Sequence, residues 1–233
     1  MDVYEALYTT RMMRRLRPDP IPLDTQARIL DAAVRAPNGG NTQRWHFVAV
    51  DDPELKRKFA QLFRQARAIE YDKFQAGQGP MAVPAPGADP AAHAETMRRI
   101  KGSGNYLADH FEEVPLLLFV YSIDDLGGAN IYPAIWSILL AARAEGVGGV
   151  MTMVLRNFED EVNELLGVPV EQGWKMSAML TLGYPLGRWG VAANRRPVHE
   201  VSSRNQWDAP LGIEVPRPLW PPQDQAEGLA AVG

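Results

Sequence analysis

The sequence predicts a single domain in which a mixed sheet is covered by helices. Three observations carry this prediction: strand-like and helix-like segments alternate, each has one apolar tract, and the connections between them are uneven. A chain of 233 residues is ample for one hydrophobic core, and 46% hydrophobic with 22% charged residues is an ordinary globular composition.

The individual elements follow from apolar spacing and from capping residues. We expect a helix over Val3–Thr10 behind a capping Asp2, and a second helix whose apolar face runs from Leu23 to Val34. The further predicted elements are a strand at 45–50, a helix from Asp52-Pro53, a helical segment resuming near Glu95 and interrupted at 102–104, a strand at 115–121, a helix at 133–145, a strand at 149–155, a short helix capped by Asn157 and a strand at 175–182.

Composition and charge argue against several classes of protein. A net charge of −4 argues against a general nucleic-acid binder, and the lack of cysteine excludes disulfides and thiolate metal sites. The four histidines have no metal-ligand spacing, so we expect no metal. No basic flank or long apolar stretch marks a signal peptide or a membrane span, and we expect a cytoplasmic protein that binds no membrane.

Four arginines stand close together after the first predicted helix, at positions 11, 14, 15 and 17. A guanidinium offers a planar pair of donors that suits phosphate oxygens. The alternative is a solvated basic turn. A second basic pair, Arg195-Arg196, is open to the same two interpretations, a phosphate clamp or solvent-exposed charges.

An amide-rich segment lies at 36–45, where Asn38, Asn41 and Gln43 supply both hydrogen-bond donors and acceptors. Such groups suit the alternating pyrimidine edge of a flavin, and the glycines at 39 and 40 allow close approach to a flat ring. An amide-rich turn between helix and strand is the alternative. The apolar helix predicted at 133–145 ends in glycines, and most of its residues are expected to belong to the hydrophobic core. Its functional part would be the backbone after Gly148, which would face a flat ring.

In series, these segments resemble the FMN-dependent nitroreductase family over about two thirds of the chain. The family patterns are an R-x-x-R segment, A-P-S-x-x-N-x-Q-P-W, P-A-x-x-x-x-L-L-A-A-x-x-x-G-x-G, and L-G-Y-P followed by R-x-P. They match residues 11–16, 36–45, 133–148, and 182–185 with 195–197. The resemblance implies an α+β fold with a mixed, mainly antiparallel sheet. It also implies an intertwined homodimer with FMN at the interface, an FMN-binding domain at 1–203 with a lid at 76–106, and a Pro-rich arm at 204–233 that packs on the partner.

The resemblance also implies the site and the activity. The FMN phosphate would be held by Arg11, the backbone N–H of Met12, Arg14, Arg195 and Arg196. The flavin would be lined by Asn38, Gly39, Asn41 and Gln43, partly from the partner subunit, and by the backbone of Gly148 and Gly149. The activity would be ping-pong hydride transfer from NAD(P)H through flavin N5 to a nitroaromatic, quinone or enone. No catalytic side chain is predicted, because the cofactor carries the chemistry.

Five positions depart from the family pattern. Met12 replaces a small hydroxyl residue, Asn38 replaces Ser, Arg44 replaces Pro, and Trp136-Ser137 replaces Gln-Asn. Three alternatives therefore stay open: a specialised flavin reaction such as dehalogenation, enone reduction or flavin fragmentation, a flavin-binding module without turnover, and a Pro-rich tail that recognises an external partner.

Overall fold

The computed structural model describes residues 1–78, 83–84, 89–191 and 195–220. The chain divides into two compact units, Met12–Arg188 and the combination of Met1–Arg11 with Trp189–Gly233. The boundaries predicted from the sequence, a domain at 1–203, a lid at 76–106 and an arm at 204–233, stay predictions. Parts of the lid and of the arm, residues 79–82, 85–88 and 221–233, lie outside the described residues.

A four-stranded sheet forms the centre of the larger unit. Its strands are β1 (Trp45–Val50), β2 (Leu116–Ser122), β3 (Gly148–Thr152) and β4 (Lys175–Gly183), in the order β1-β2-β4-β3. All three pairings are antiparallel, and among the described residues parallel pairing is confined to the isolated bridge between Met12 and Gly149. The predicted α+β class is confirmed.

Helices cover both faces of this sheet. In the larger unit they are α2 (Leu23–Ala33), α3 (Pro53–Gln75), α4 (Pro90–Asp109), α5 (Ile131–Ala144) and α6 (Glu159–Leu166), and the smaller unit contains α1 (Val3–Thr9). Among the described residues no helix is both long enough and apolar enough to cross a membrane.

The apolar run of β2 is continuous because both of its faces are buried. Leu118 lies in the core cluster that α2 and α5 build with Ile29 and Ile138, while the neighbouring Phe119 packs on Phe59 of α3, with ring centroids 4.6 Å apart. Alternate side chains of a strand point to opposite faces, so a strand covered on both sides needs apolar residues throughout. Each such buried side chain contributes about 1.5–3 kcal/mol of transfer free energy.

Two predicted elements were wrong in their extent. Helix α4 runs without interruption through 102–104. Gly104 leaves room there for the Arg67 side chain of α3, since a Cβ at this position would lie 2.6 Å from the Arg67 guanidinium. Strand β3 ends at Thr152 instead of Leu155. The Thr152 hydroxyl accepts a hydrogen bond from the Val154 N–H, which begins a 3₁₀ turn.

The predicted capping role of Asn157 was also wrong. Its amide group donates to Glu70 and to the Val154 carbonyl, both at 2.9 Å, and Phe158 stands at the position before α6. Because Glu70 belongs to α3, this side chain ties two elements together instead of capping one.

The smaller unit contains little regular structure beyond α1. Its helix begins at a capping Asp2, whose carboxylate accepts a hydrogen bond of 2.8 Å from the Glu5 N–H. Over 195–220 the chain forms one single-turn 3₁₀ helix at Val198–Glu200. The Trp220 ring lies 5.8 Å from the Tyr8 ring of α1 in the same chain.

Candidate functional site

The basic segment, residues 12–17, is fixed to the ends of two strands. The Met13 N–H donates to the Gly149 carbonyl at 2.8 Å, and the Arg17 N–H donates to the Tyr184 carbonyl at 2.7 Å. After β4, the Leu186 N–H donates a hydrogen bond of 2.9 Å to the Arg15 carbonyl. Met12 and Arg14 therefore lie beside Gly148 and Gly149, where β3 begins, although more than 130 residues separate them in sequence.

Gly149 is required by the packing of the sheet. A Cβ at this position would overlap the carbonyl oxygen of Thr181 on β4 and would lie 2.8 Å from a methyl group of Leu182. Its carbonyl is also engaged by Met13. The glycine therefore has a structural role of its own, and its role beside a flavin ring stays a prediction.

Arg14 is a half-buried cation without a carboxylate partner among the described residues. Its guanidinium donates a long hydrogen bond of 3.4 Å to the Ser103 hydroxyl of α4. Burial lowers the pKa of Arg14 below its ordinary value, and the neighbouring Arg67 cation lowers it further. Two like charges close together in a partly desolvated place favour a bound anion.

Arg67 of α3 is a residue that sequence reasoning missed. Its guanidinium donates to the Asn105 side-chain oxygen at 2.9 Å, and burial lowers its pKa. Periodicity identified the apolar face of α3 but did not predict which polar residue at its border faces another helix. The Gly104 within the predicted helical break was the available sign of a close helix contact.

Residues 38–43, the amide loop, form a tight turn that is held by a hydrogen bond to a side chain within the loop and by another to the residue before α5. The Asn38 side-chain oxygen accepts from the Gln43 N–H at 3.0 Å, and the Gly39 N–H donates to the Asn130 side chain at 2.8 Å. Asn41 and Gln43 are exposed and have φ angles of 51° and 50°, a conformation that asparagine tolerates well. Their side chains therefore face outward from this chain.

Helix α5 separates the two halves of the predicted site. Asn130, which holds the amide loop, stands immediately before α5, whereas Gly148 and Gly149 follow its end. A helix of 14 residues is about 21 Å long. One copy of the chain thus places the amide loop and the basic segment at opposite ends of the helix.

Arg11, Arg195 and Arg196 belong to the smaller unit. Arg11 follows Thr10, the residue that caps the end of α1, and is exposed. Arg196 forms an ion pair of 3.3 Å with Glu200 one turn further along. The phosphate-binding roles of these three arginines stay predictions.

The class of the protein follows from comparison with known families. The model of the nitroreductase family matches residues 7–184, which is more than half of the chain. The chain therefore belongs to the nitroreductase family, and the predicted membership is confirmed.

Individual relatives differ in the chemistry that their names describe. The 5,6-dimethylbenzimidazole synthase of Rhodospirillum rubrum is 31% identical over 199 residues, which cover 79% of this chain and 82% of that protein. Iodotyrosine deiodinase 1 of Rattus norvegicus is 23% identical over 195 residues, and they cover 79% of this chain but only 62% of the deiodinase. The chain thus spans less than two thirds of the length of that relative.

A solved structure agrees with the fold. The FMN-dependent nitroreductase NfnB of Mycobacterium smegmatis, determined in complex with NADPH, superimposes with a TM-score of 0.64 at 19% identity. The match covers 87% of this chain and 97% of NfnB.

Proposed function

We propose that this protein is an FMN-dependent oxidoreductase that works as a homodimer. FMN, when bound, supplies the transfer of hydride from NAD(P)H through N5 to an oxidised small molecule such as a nitroaromatic, quinone or enone. Membership of the nitroreductase family supports the reaction class. The observation that carries the proposal for this chain is Arg14, a half-buried cation beside Arg67 and against β3.

The residues around Arg14 suit a phosphate group. Met12 brings no hydroxyl, so the Arg14 guanidinium and the Met12 backbone N–H would hold the phosphate oxygens, with Arg11, Arg195 and Arg196 as further donors. Charge-assisted hydrogen bonds from a guanidinium are roughly twice as strong as neutral ones. A dianionic phosphate would also neutralise the Arg14 cation, which burial and the neighbouring positive charge of Arg67 disfavour.

The separation along α5 supports a site built from two chains. The outward-facing amides of Asn41 and Gln43 would reach the pyrimidine edge of the FMN held by the partner subunit, while Gly148 and Gly149 would line the ring in their own subunit. The smaller unit also exposes apolar side chains that a second copy would cover. These are Val3, Tyr4, Leu7, Trp207, Ile213 and Leu219, of which Trp207 is 91% exposed.

The visible spectrum of the purified protein tests the cofactor. We expect flavin absorption, release of FMN on denaturation, and bleaching of the bound flavin by NAD(P)H. Arg14→Gln should weaken FMN binding by about 2–4 kcal/mol. Arg17→Gln is the matched control, because Arg17 is exposed and engaged by Asp19 at 3.6 Å. Equal retention of FMN by both variants after dialysis would contradict the assignment.

Light scattering tests the dimer. We expect twice the chain mass at micromolar concentration, and we expect a chain that ends at Gln206 to lose both dimerisation and FMN. A flavin-loaded monomer would refute the shared site.

The alternatives make different predictions. A specialised reaction is suggested by the relatives whose names describe deiodination and benzimidazole synthesis, and a steady-state screen of nitroaromatics, quinones and enones would then give no good acceptor. A flavin-binding module without turnover would carry FMN that NAD(P)H fails to bleach.

A further inference from the structure

A cleft of about 410 Å³ lies between α3 and α4. Its apolar wall is formed by Phe74 of α3 and by Met97 and Ile100 of α4. Arg67 and Lys101 also line it, one from each helix. An apolar cavity of this size with a few polar groups is the usual form of a small-molecule site.

Three cations line the cleft, and one of them, Arg98, is paired with Glu95. Within the part of the chain that the structure describes, the other two, Arg67 and Lys101, donate hydrogen bonds only to neutral groups. The Arg67 guanidinium donates to the Asn105 side-chain oxygen at 2.9 Å. The Lys101 ammonium donates to the Tyr71 hydroxyl at 2.6 Å and lies 4.1 Å from the centre of the Tyr71 ring. Neither cation forms an ion pair within the described parts of the chain, so both retain their positive charge toward the cleft.

The carboxylates near the cleft are already neutralised. Glu70 accepts from Lys73 and Asn157, both at 2.9 Å, and the hydrogen bond from Lys73 is the main reason why the pKa of Glu70 is lowered. Glu95 is bound by Arg98 and Arg99. The cleft therefore has a surplus of positive charge from Arg67 and Lys101.

A buried atom of one further lining residue has no hydrogen-bond partner among the described residues. The Nε2 atom of His93 is buried and makes no hydrogen bond to any described residue. The residue itself is part of the lining of the same cleft.

We infer that this cleft selects electron acceptors that carry a carboxylate on an aromatic or similarly flat apolar body. Arg67 and Lys101 bind the carboxylate, and Phe74, Met97 and Ile100 hold the apolar body. The inference rests on the proposed function, because it names the substrate class of that enzyme. Arg67 also lies beside Arg14, and a role in holding the FMN phosphate is the competing assignment for Arg67.

Paired acceptors test the inference through kinetics. In the flavin-loaded protein, para-nitrobenzoate should have a KM about tenfold below that of para-nitrobenzamide, which has nearly the same shape but no charge. Arg67→Gln and Lys101→Gln should each raise the KM for the benzoate about tenfold and leave that for the amide within about twofold. Arg99→Gln is the control, since Arg99 lies on the same helix and is bound by Glu95 at 3.0 Å. Equal KM values for the two acceptors, or variants that do not discriminate between them, would overturn the inference.

A binding measurement separates this inference from the proposed function. Fluorine NMR with para-fluorobenzoate, which is not reduced, should show saturable binding that Lys101→Gln and Arg67→Gln weaken and that Arg99→Gln does not. Loss of this binding in the variants supports the cleft even if NAD(P)H fails to bleach the flavin, an outcome that defeats the proposed function alone. If Arg67→Gln releases FMN but retains para-fluorobenzoate, Arg67 belongs to the phosphate site and the inference fails.

Discussion

Substitution of Gly149 by alanine tests how the basic segment is joined to the sheet. The new methyl group would overlap a backbone oxygen, that of Thr181, which no change of rotamer relieves, and would come within 2.8 Å of Leu182. Favourable carbon contacts lie at about 3.5–4.0 Å, so β3 and β4 must separate locally. Overpacking of a well-packed region costs about 1–3 kcal/mol. A shift of β3 would also strain the hydrogen bond from the Met13 N–H to the Gly149 carbonyl. We therefore expect the loss in the free energy of unfolding to lie toward the upper end of that range.

Urea unfolding followed by circular dichroism measures this loss. Gly187→Ala is the control, because a Cβ at Gly187 meets nothing within 4 Å. It should leave stability unchanged or raise it by about 0.4–1 kcal/mol through the unfolded state. Gly149→Ala should also lower the FMN content, since Arg14 directly follows Met13, which donates its N–H to the Gly149 carbonyl. An alanine variant at 149 as stable as the one at 187 would refute the reasoning.

Three further predictions concern stability, each measured from urea midpoints. Asp52→Ala removes the carboxylate that accepts two N–H groups at the start of α3, and should cost about 1 kcal/mol; no change would mean that water replaces the cap. Asn163→Leu leaves the buried Tyr121 hydroxyl unpaired and should cost about 1–3 kcal/mol, part of which Tyr121→Phe in the same chain should restore; a double variant no more stable than the single one would contradict this. The hydrogen bond from Arg28 lowers the pKa of Glu145, so its stabilisation is present at neutral pH and is lost as the pH falls through that pKa. Arg28→Gln should therefore lower the midpoint near neutral pH and not in strong acid, and an equal loss at both would exclude an ionic contribution.

Local patterns determined most of the secondary structure and the family. The strand at β2, the apolar α5 and the amide loop each depend on residues close together in sequence, and so does the run of four motifs. Short-range spacing carries this information because the helix and strand periods are properties of the backbone itself.

Tertiary contacts decided the packing roles of the glycines and the position of the polar residues at the edges of the helices. Gly104 reads as a helix breaker in the sequence but lies inside α4, where it makes room for Arg67. Arg14, Arg67 and Ser103 come from three separate segments, and their approach depends on how α3, α4 and the basic segment pack together. The position of the amide loop at one end of α5 and of Gly149 at the other likewise depends on the sheet order. A sequence does not encode that order locally, because strand pairing joins residues that are far apart in the chain.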